Sequence, residues 1–293
     1  MSPGNPASAR GTLYVVATPI GNLGDVTQRA LDVLSAVPLV AAEDTRVTGR
    51  LLARFGIRVR TLSFNARNAH GRLPELLDHL RGGADLAVVT DAGTPGVSDP
   101  GEDLVRAWAA EDGLVEAIPG ASAVTVAVAV SGIAGPRWSF EGFLPRGGRE
   151  RRDRLARIAA DERGSVVFEA PTRIGATLRD LAAVCGDARP AAVCRELTKL
   201  HEQVVRAPFG RLAEMITSGA IPARGEFVVV VGAAAQAKPA PDLVGARAEV
   251  ERLVADGIAR GEAARRVAAA TGVARRSLYG RPGSGSEGRD DDR

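Results

Sequence analysis

After a Pro/Gly/Ser-rich opening, the chain alternates short β-forming runs with longer amphipathic stretches, a rhythm that leaves few folds open. Successive strands separated by helix-length segments pair in parallel, with the helices laid over the faces of the sheet. Residues 13–17, 39–42, 60–64, 86–90 and 115–118 read as strands, and 27–35, 47–55, 69–80 and 102–110 as helices. In the last of these, Leu104, Val105, Trp108 and Ala109 recur at three and four residues and present one apolar face. The segment 124–130 reads two ways. Val124, Val126, Val128 and Val130 alternate as in a strand, yet Pro119-Gly120 followed by Ser122 is a natural helix start.

A break at 131–136 precedes a second α/β unit that begins near Phe143 with an arginine-dense stretch, 146–163. Strands are expected at 165–168, 191–195, 203–207 and 226–231, and helices at 174–184 and 209–217. Two strands in succession with no helix between them imply a mixed sheet. Residues 233–241 (AAAQAKPAP) read as a linker. Beyond it, 244–255, 262–270 and 274–279 form short helices broken at Gly257, Gly261 and Gly272, a pattern that suits a helix-turn-helix, a helical cap or a dimer contact. With 293 residues the chain is long enough for two domains. The expected division is an N-terminal α/β domain over 12–135, a C-terminal α/β domain over 143–232 and a helical segment over 243–280. Residues 1–11 and 281–293 are expected to be flexible tails.

Three loops stand out because each follows a strand and precedes a helix start. The first holds Thr18, Pro19, Gly21 and Asn22; the second runs from Asp91 through Gly93, Thr94 and Ser98 to Asp99; the third is Pro119, Gly120 and Ala121. Loops at the carboxyl edge of a parallel sheet aim backbone N–H groups at a ligand, and small residues let it approach closely. None matches the G-x-G-x-x-G fingerprint or a Walker loop, so nicotinamide and nucleoside-triphosphate chemistry lose their support. Ser98 or Asp99 would serve equally as a cap for the helix at 102.

Charge narrows the partners. The formal excess is +3, and all 38 basic residues except Lys199 and Lys238 are arginine. Stretches 146–163 and 243–279 each carry seven arginines against four acids, so the remainder of the chain is net negative. The aromatics are few (7 Phe, 2 Trp, 2 Tyr), which argues against a sheet that stacks several bases; RNA, if bound, is held by arginine. Cys185, Cys194, His70, His79 and His201 form no ligand-spaced set, and no metal is expected. With no signal pattern at 1–11 and no apolar run near the length of a membrane span, the expectation is a soluble, cytoplasmic protein without membrane contact.

These loops, together with Ala42-Glu43-Asp44-Thr45-Arg46, Ser63-Phe64-Asn65, Phe168-Glu169-Ala170-Pro171-Thr172-Arg173, Cys194-Arg195-Glu196-Leu197-Thr198-Lys199-Leu200-His201-Glu202 and Gly225-Glu226-Phe227, closely resemble the ribosomal RNA small subunit methyltransferase I family of the tetrapyrrole-methylase-like superfamily. The resemblance spans about residues 12–232. It implies two α/β domains with S-adenosylmethionine in the cleft between them, Ala170 among the cofactor-binding residues, and a homodimer. The implied reaction is methylation of the ribose 2'-hydroxyl of a decoding-region cytidine in 16S ribosomal RNA, as free RNA or in the small subunit. Family members often carry His where Thr172 stands, so no imidazole acts there. A tetrapyrrole methylase of the same fold and a non-catalytic nucleic-acid-binding protein are the alternatives.

A ribose hydroxyl is a poor nucleophile at neutral pH, so a base or a cation near the attacking oxygen would help. Lys199 and Glu196 form one candidate pair, Glu43 and Asp44 at the end of a strand another. Asp44 is also a natural helix cap. Lys199 is expected to be hydrogen-bonded by Glu196 or Glu169. Arg46, Arg173 and Arg195 are candidates for RNA phosphates or for the methionine carboxylate, or else members of salt bridges.

Overall fold

The computed structural model describes residues 10–98, 101–234 and 242–279. Residues up to 234 form one compact unit and those beyond it a second.

Five strands, β1 (Leu13–Val16), β2 (Leu39–Ala42), β3 (Arg60–Ser63), β4 (Leu86–Val89) and β5 (Val115–Ile118), form a sheet of order β3-β2-β4-β1-β5 in which every pair is parallel. Helices α1 (Gln28–Ala36) and α2 (Thr45–Arg54) cover one face, where Leu34 and Leu52 pack on Val16, Val40 and Val89. Helices α3 (Ala69–Arg81) and α4 (Glu102–Ala109) cover the other, where Leu76, Leu80, Leu104 and Trp108 pack on Leu13, Leu39 and Val88. Right-handed crossovers require this division: the chain steps towards β3 in its first two connections and back towards β5 in the next two, so the helices change face. The loops after the adjacent strands β1 and β4 therefore leave on opposite faces and open a crevice, where open α/β sheets bind ligands.

The alternating valines lie in a helix, α5 (Ala123–Ser131), closed by Gly132 in the left-handed conformation (φ 65°). Val124 and Ala127 pack on Val166, Ala192, Cys194, Val228 and Val230, so α5 lies against the second sheet. A helix apolar on most of its circumference suits such a covered position, and packing overrides β propensity here. Arg206 fixes the far end of α5, its Nε donating to the Ser131 carbonyl at 2.8 Å and its Nη2 to that of Val130.

The second sheet has order β6-β7-β10-β8-β9, with β6 (Trp138–Phe143) parallel to β7 (Gly164–Glu169) and the remaining pairs antiparallel: β10 (Phe227–Val231), β8 (Pro190–Arg195) and β9 (Gln203–Pro208). The mixed sheet matches expectation. Strand β6 does not: no strand was expected between the break at 131–136 and the start of the unit near Phe143, but residues 138–143 pair along β7, with an irregularity between Phe140 and Gly142. Helices α6 (Gly148–Ala160), α7 (Ile174–Cys185) and α8 (Phe209–Thr217) pack on the face away from α5, around Leu155, Ile174, Leu178, Phe209, Val193 and Val229.

In the second unit, α9 (Leu243–Ala255), α10 (Arg260–Thr271) and a short 3-10 turn (Arg275–Leu278) enclose Val250, Ala263, Val267 and Leu278. The turn replaces the third helix expected over 274–279. Its arginines are largely occupied: Arg252, Arg260, Arg265 and Arg266 pair with Glu249, Glu251 and Glu262, and Arg247 donates to the Ser277 carbonyl. Along 146–163 the arginines are less committed. Arg149, Arg151, Arg154 and Arg163 have acidic partners, whereas Arg146, Arg152 and Arg157 have none among the described residues. No helix among the described residues is long and apolar enough to cross a membrane.

Candidate active site

The loops after β1 and β4 are tied by a reciprocal bridge: Thr18 N donates to Gly93 O at 2.9 Å and Gly93 N to Thr18 O at 3.1 Å. The buried Thr18 hydroxyl donates to Thr90 O at 3.2 Å, so its polar groups hold the loops together. Gly93 turns with φ 86°, a conformation that L side chains resist, and a Cβ there would sit 3.4 Å from Ile20 Cγ2.

On one side of this bridge lies a cavity of about 370 Å³, in the size range of small-ligand sites. The parallel sheet contributes Ile20, Gly93, Thr94 and Ser98, and the start of α5 contributes Ser122 and Ala123. From the mixed sheet come Phe143, Phe168, Ala170, Cys194, Leu197 and Glu226. No side chain caps α5, which leaves the positive end of its dipole beside the cavity. Thr94 Oγ1 donates to Ala121 O at 3.3 Å and ties the second loop to the third. Burial pushes the Cys194 thiol up to about 12, so it serves as a small apolar surface.

Of the expected cofactor residues, Gly93, Thr94, Ser98 and Ala170 line this cavity. Thr18, Pro19 and Asp91 instead line a smaller one of about 210 Å³ across the bridge. Asn22 accepts from Gly24 N at 2.9 Å and caps a 3-10 turn at Leu23–Asp25. Pro119 and Gly120 lie outside both linings; a Cβ on Gly120 would sit 3.0 Å from that of Ala17, so the third loop sits close against β1. Asp99 lies outside the described residues. Sequence reasoning passed over Ile20, Ser122, Phe143, Phe168 and Glu226. The last lies in the Gly225-Glu226-Phe227 string that carried part of the resemblance.

Lys199 does not line the cavity but pairs with Glu226, which does. Its Nζ lies 2.9 Å from Glu196 Oε1 and 3.1 Å from Glu226 Oε2, so Glu226, not Glu169, completes the pair with Glu196. Burial works to lower its pKa, but the hydrogen bonds to Glu196 and Glu226 outweigh it and the net shift is upward. Burial would raise the Glu196 pKa; hydrogen bonds from Lys199 and from the Glu226 N–H hold it below the ordinary value instead. Glu196 (φ 52°) and Thr198 (φ 65°) both adopt left-handed backbone, a strained conformation that often marks functional loops. The lysine stem also passes over Gly21, where a Cβ would fall 2.3 Å from Lys199 Cγ. Gly21 therefore acts by admitting the lysine.

Glu43 and Asp44 are arranged differently. Asp44 caps α2 through Arg46 N at 2.8 Å and also binds the Arg46 side chain, which holds its carboxyl well below the usual carboxylate range. Glu43 accepts from Asp91 N at 3.2 Å, and Asp91 accepts from Asp44 N at 3.0 Å. Burial raises the pKa values of both Glu43 and Asp91. Neither Glu43 nor Asp44 lines the larger cavity.

Two of the candidate phosphate-binding arginines are committed to the fold. Arg173 pairs with Glu169 at 3.2 Å and donates to Leu144 O at 2.6 Å; the buried Arg195 donates to the carbonyls of Arg224 and His201. Arg46 is paired with Asp44. Glu169 is fully enclosed, accepting from Ala170 N at 2.8 Å and from the Thr177 hydroxyl. Thr172 lies in an open groove beside the unpaired Arg146. Among the described residues, no group of His, Cys, Asp or Glu is arranged to hold a metal ion.

Comparison with known proteins agrees with this geometry. Residues 12–213 match the family of Tetrapyrrole (Corrin/Porphyrin) Methylases. The solved structure of the methyltransferase CobJ covers 77% of this chain and 95% of its own, with TM-score 0.59 at 20% identity. Uroporphyrin-III C-methyl transferase from Thermus thermophilus, complexed with S-adenyl homocysteine, covers 76% and 97%, with TM-score 0.55 at 19% identity. Sequence relatives are closer. The ribosomal RNA small subunit methyltransferase I of Synechocystis is 45% identical over 92% of this chain and 96% of its own, and that of Mycobacterium tuberculosis 44% identical over 92% and 93%. A family model matching most of the chain, and relatives that align along nearly its whole length, show that this methyltransferase chain belongs to the ribosomal RNA small subunit methyltransferase I family of the tetrapyrrole methylases.

Proposed function

We propose that the chain methylates small-subunit ribosomal RNA, transferring a methyl group from S-adenosylmethionine to the ribose 2'-hydroxyl of a decoding-region cytidine, and that it works as a homodimer in the cytoplasm. The observation that carries the reading is the larger cavity, walled by glycine loops on one side and on the other by the mixed sheet, where the lining residue Glu226 is paired with Lys199.

The residues present fit the donor. Gly93, with its positive φ, gives close access to backbone, Phe143 and Phe168 offer aromatic surface to an adenine, and the uncapped start of α5 suits a carboxylate. When bound, the donor's sulfonium supplies an activated methyl group. In the transfer the ribose oxygen would gain the methyl as the carbon–sulfur bond breaks, and its proton would pass to solvent water. Lys199, kept cationic by Glu196 and Glu226, would stabilise negative charge on the attacking oxygen, the kind of electrostatic help worth about 10²–10³ in rate. Glu196, fixed by the Glu226 N–H, orients the lysine. Holding the reactants in line supplies much of the remaining acceleration.

The test is transfer of labelled methyl from S-adenosylmethionine to unmethylated small ribosomal subunits, with mass mapping of 16S RNA. Label at a cytidine ribose is the expected result. Label in a corrinoid precursor, with none in the RNA, would overturn it.

A further inference from the structure

Across the Thr18–Gly93 bridge lies the second cavity, of about 210 Å³. Pro19, Val47, Leu51 and the exposed Leu23 give it apolar walls. Two polar groups on residues that line this space are not fully used by the protein. The Thr48 hydroxyl is buried, on a residue only 3% exposed, and has no hydrogen-bond partner. A helical threonine ordinarily donates to the carbonyl four residues back, as Thr217 does to Ala213 and Thr271 to Val267. Thr48 makes no such bond, and an unsatisfied buried hydroxyl is costly enough to need an explanation. The second group is Asp91, whose Oδ1 accepts from Asp44 N while no described residue donates to Oδ2. Arg50, with no acidic partner among the described residues, also borders the cavity.

We propose that this second cavity receives the base of the nucleotide whose ribose is methylated, with the Thr48 hydroxyl and the Asp91 carboxylate hydrogen-bonding its edge. The inference rests on the RNA-methylating reading above and names the subsite for that substrate. A carboxylate accepting from the exocyclic amine of cytosine is a contact that separates it from uracil. The apolar walls suit the faces of a pyrimidine, and Arg50 supplies positive charge for a neighbouring phosphate. Placement matters as much as chemistry. Thr18 and Asp91 border the base cavity, whereas Ile20 and Gly93, two residues further along the same loops, border the donor cavity. A base held on one side of the bridge leaves its ribose to cross towards the other. An enzyme acting within structured RNA must lift its target out of the stack, and a separate pocket for the base stabilises that state.

Two variants test the proposal, assayed with S-adenosylmethionine and unmethylated small subunits carrying either cytidine or uridine at the target. Val47→Phe fills the cavity and is expected to abolish methylation, while S-adenosylhomocysteine binding, measured by calorimetry, stays within twofold of wild type. Thr48→Val removes only the unpartnered hydroxyl. It should leave the melting temperature unchanged or raised, reduce kcat/KM for the cytidine substrate about tenfold, and narrow the preference for cytidine over uridine. Wild-type methylation by Val47→Phe, or loss of S-adenosylhomocysteine binding in it, would overturn the base site, as would unchanged discrimination in Thr48→Val. If wild-type protein labels no subunits at all, it is the broader RNA reading that fails.

Discussion

The two sheets meet at the donor cavity with different materials. The parallel sheet contributes mainly loop backbone, held by the Thr18–Gly93 bridge and by the Thr94 hydroxyl on Ala121. The mixed sheet contributes aromatic side chains and Glu226, which pairs with Lys199 on a neighbouring loop that includes left-handed residues. Backbone can shape a ligand site without adding charge, while side chains can concentrate charge at one reacting atom. Under the proposed function, this division gives the donor a wall of backbone from one sheet and gives the reaction its charge from the other.

The sharpest way to break this division is Lys199→Met. A fall in kcat of about 10²–10³ is expected, with S-adenosylhomocysteine affinity changed less than threefold; equal losses in both would return the lysine to donor binding. Glu169→Ala should act on the mixed sheet's stability. It strands the Ala170 N–H, the Thr177 hydroxyl and Arg173, and urea unfolding should show a loss of about 3 kcal/mol. Gly21→Ala displaces the lysine stem and should lower kcat about tenfold, with no further loss when added to Lys199→Met, since both changes act through one ammonium. Asp44→Ala should be the mildest, lowering the melting temperature a little through the lost helix cap and turnover less than threefold.

The same pair sets a pH expectation. Lys199 has its pKa raised above 10.5 in the folded state, so its stabilising contribution is complete below the unfolded value and lost as pH rises through the folded one. Glu196, lowered from 4.5, contributes fully above its unfolded value and loses that contribution as pH falls through the folded one. The ion pair therefore persists across the neutral range. Lys199→Met should leave the slope of melting temperature against pH unchanged between about pH 6 and 9 and alter it on the alkaline side, where the lysine titrates, and on the acidic side, where Glu196 loses the hydrogen bond that lowers its pKa.

The parallel sheet was legible because short β-forming runs alternate with helix-length amphipathic stretches, three of the strands are followed by glycine-bearing loops, and both faces are covered by helices. Strand β6 was not. Gly142 turns with φ 62°, and every residue of the strand except Phe143 is half-buried, so no apolar alternation marks it. The valines of α5 showed the limit of periodicity: a helix covered by the second sheet need not keep a polar face. At the site, the lysine and its Glu196 partner were readable from their scarcity and spacing, but Glu226 reaches them only through the pairing of β8 with β10. Arg173 and Arg195 looked available in the sequence because charge alone does not reveal burial; folding spends them on Glu169 and on carbonyls.

The grip of Arg206 on the end of α5 carries a further consequence. That arginine belongs to β9, the edge strand of the mixed sheet, while the opposite end of the helix meets the donor cavity. The helix is thus a strut with one footing at the sheet's margin and the other at the chemistry, and its nine residues span about 14 Å. Arg206 anchors, from the sheet's edge, the helix whose other end supplies Ser122 and Ala123 to the cavity wall.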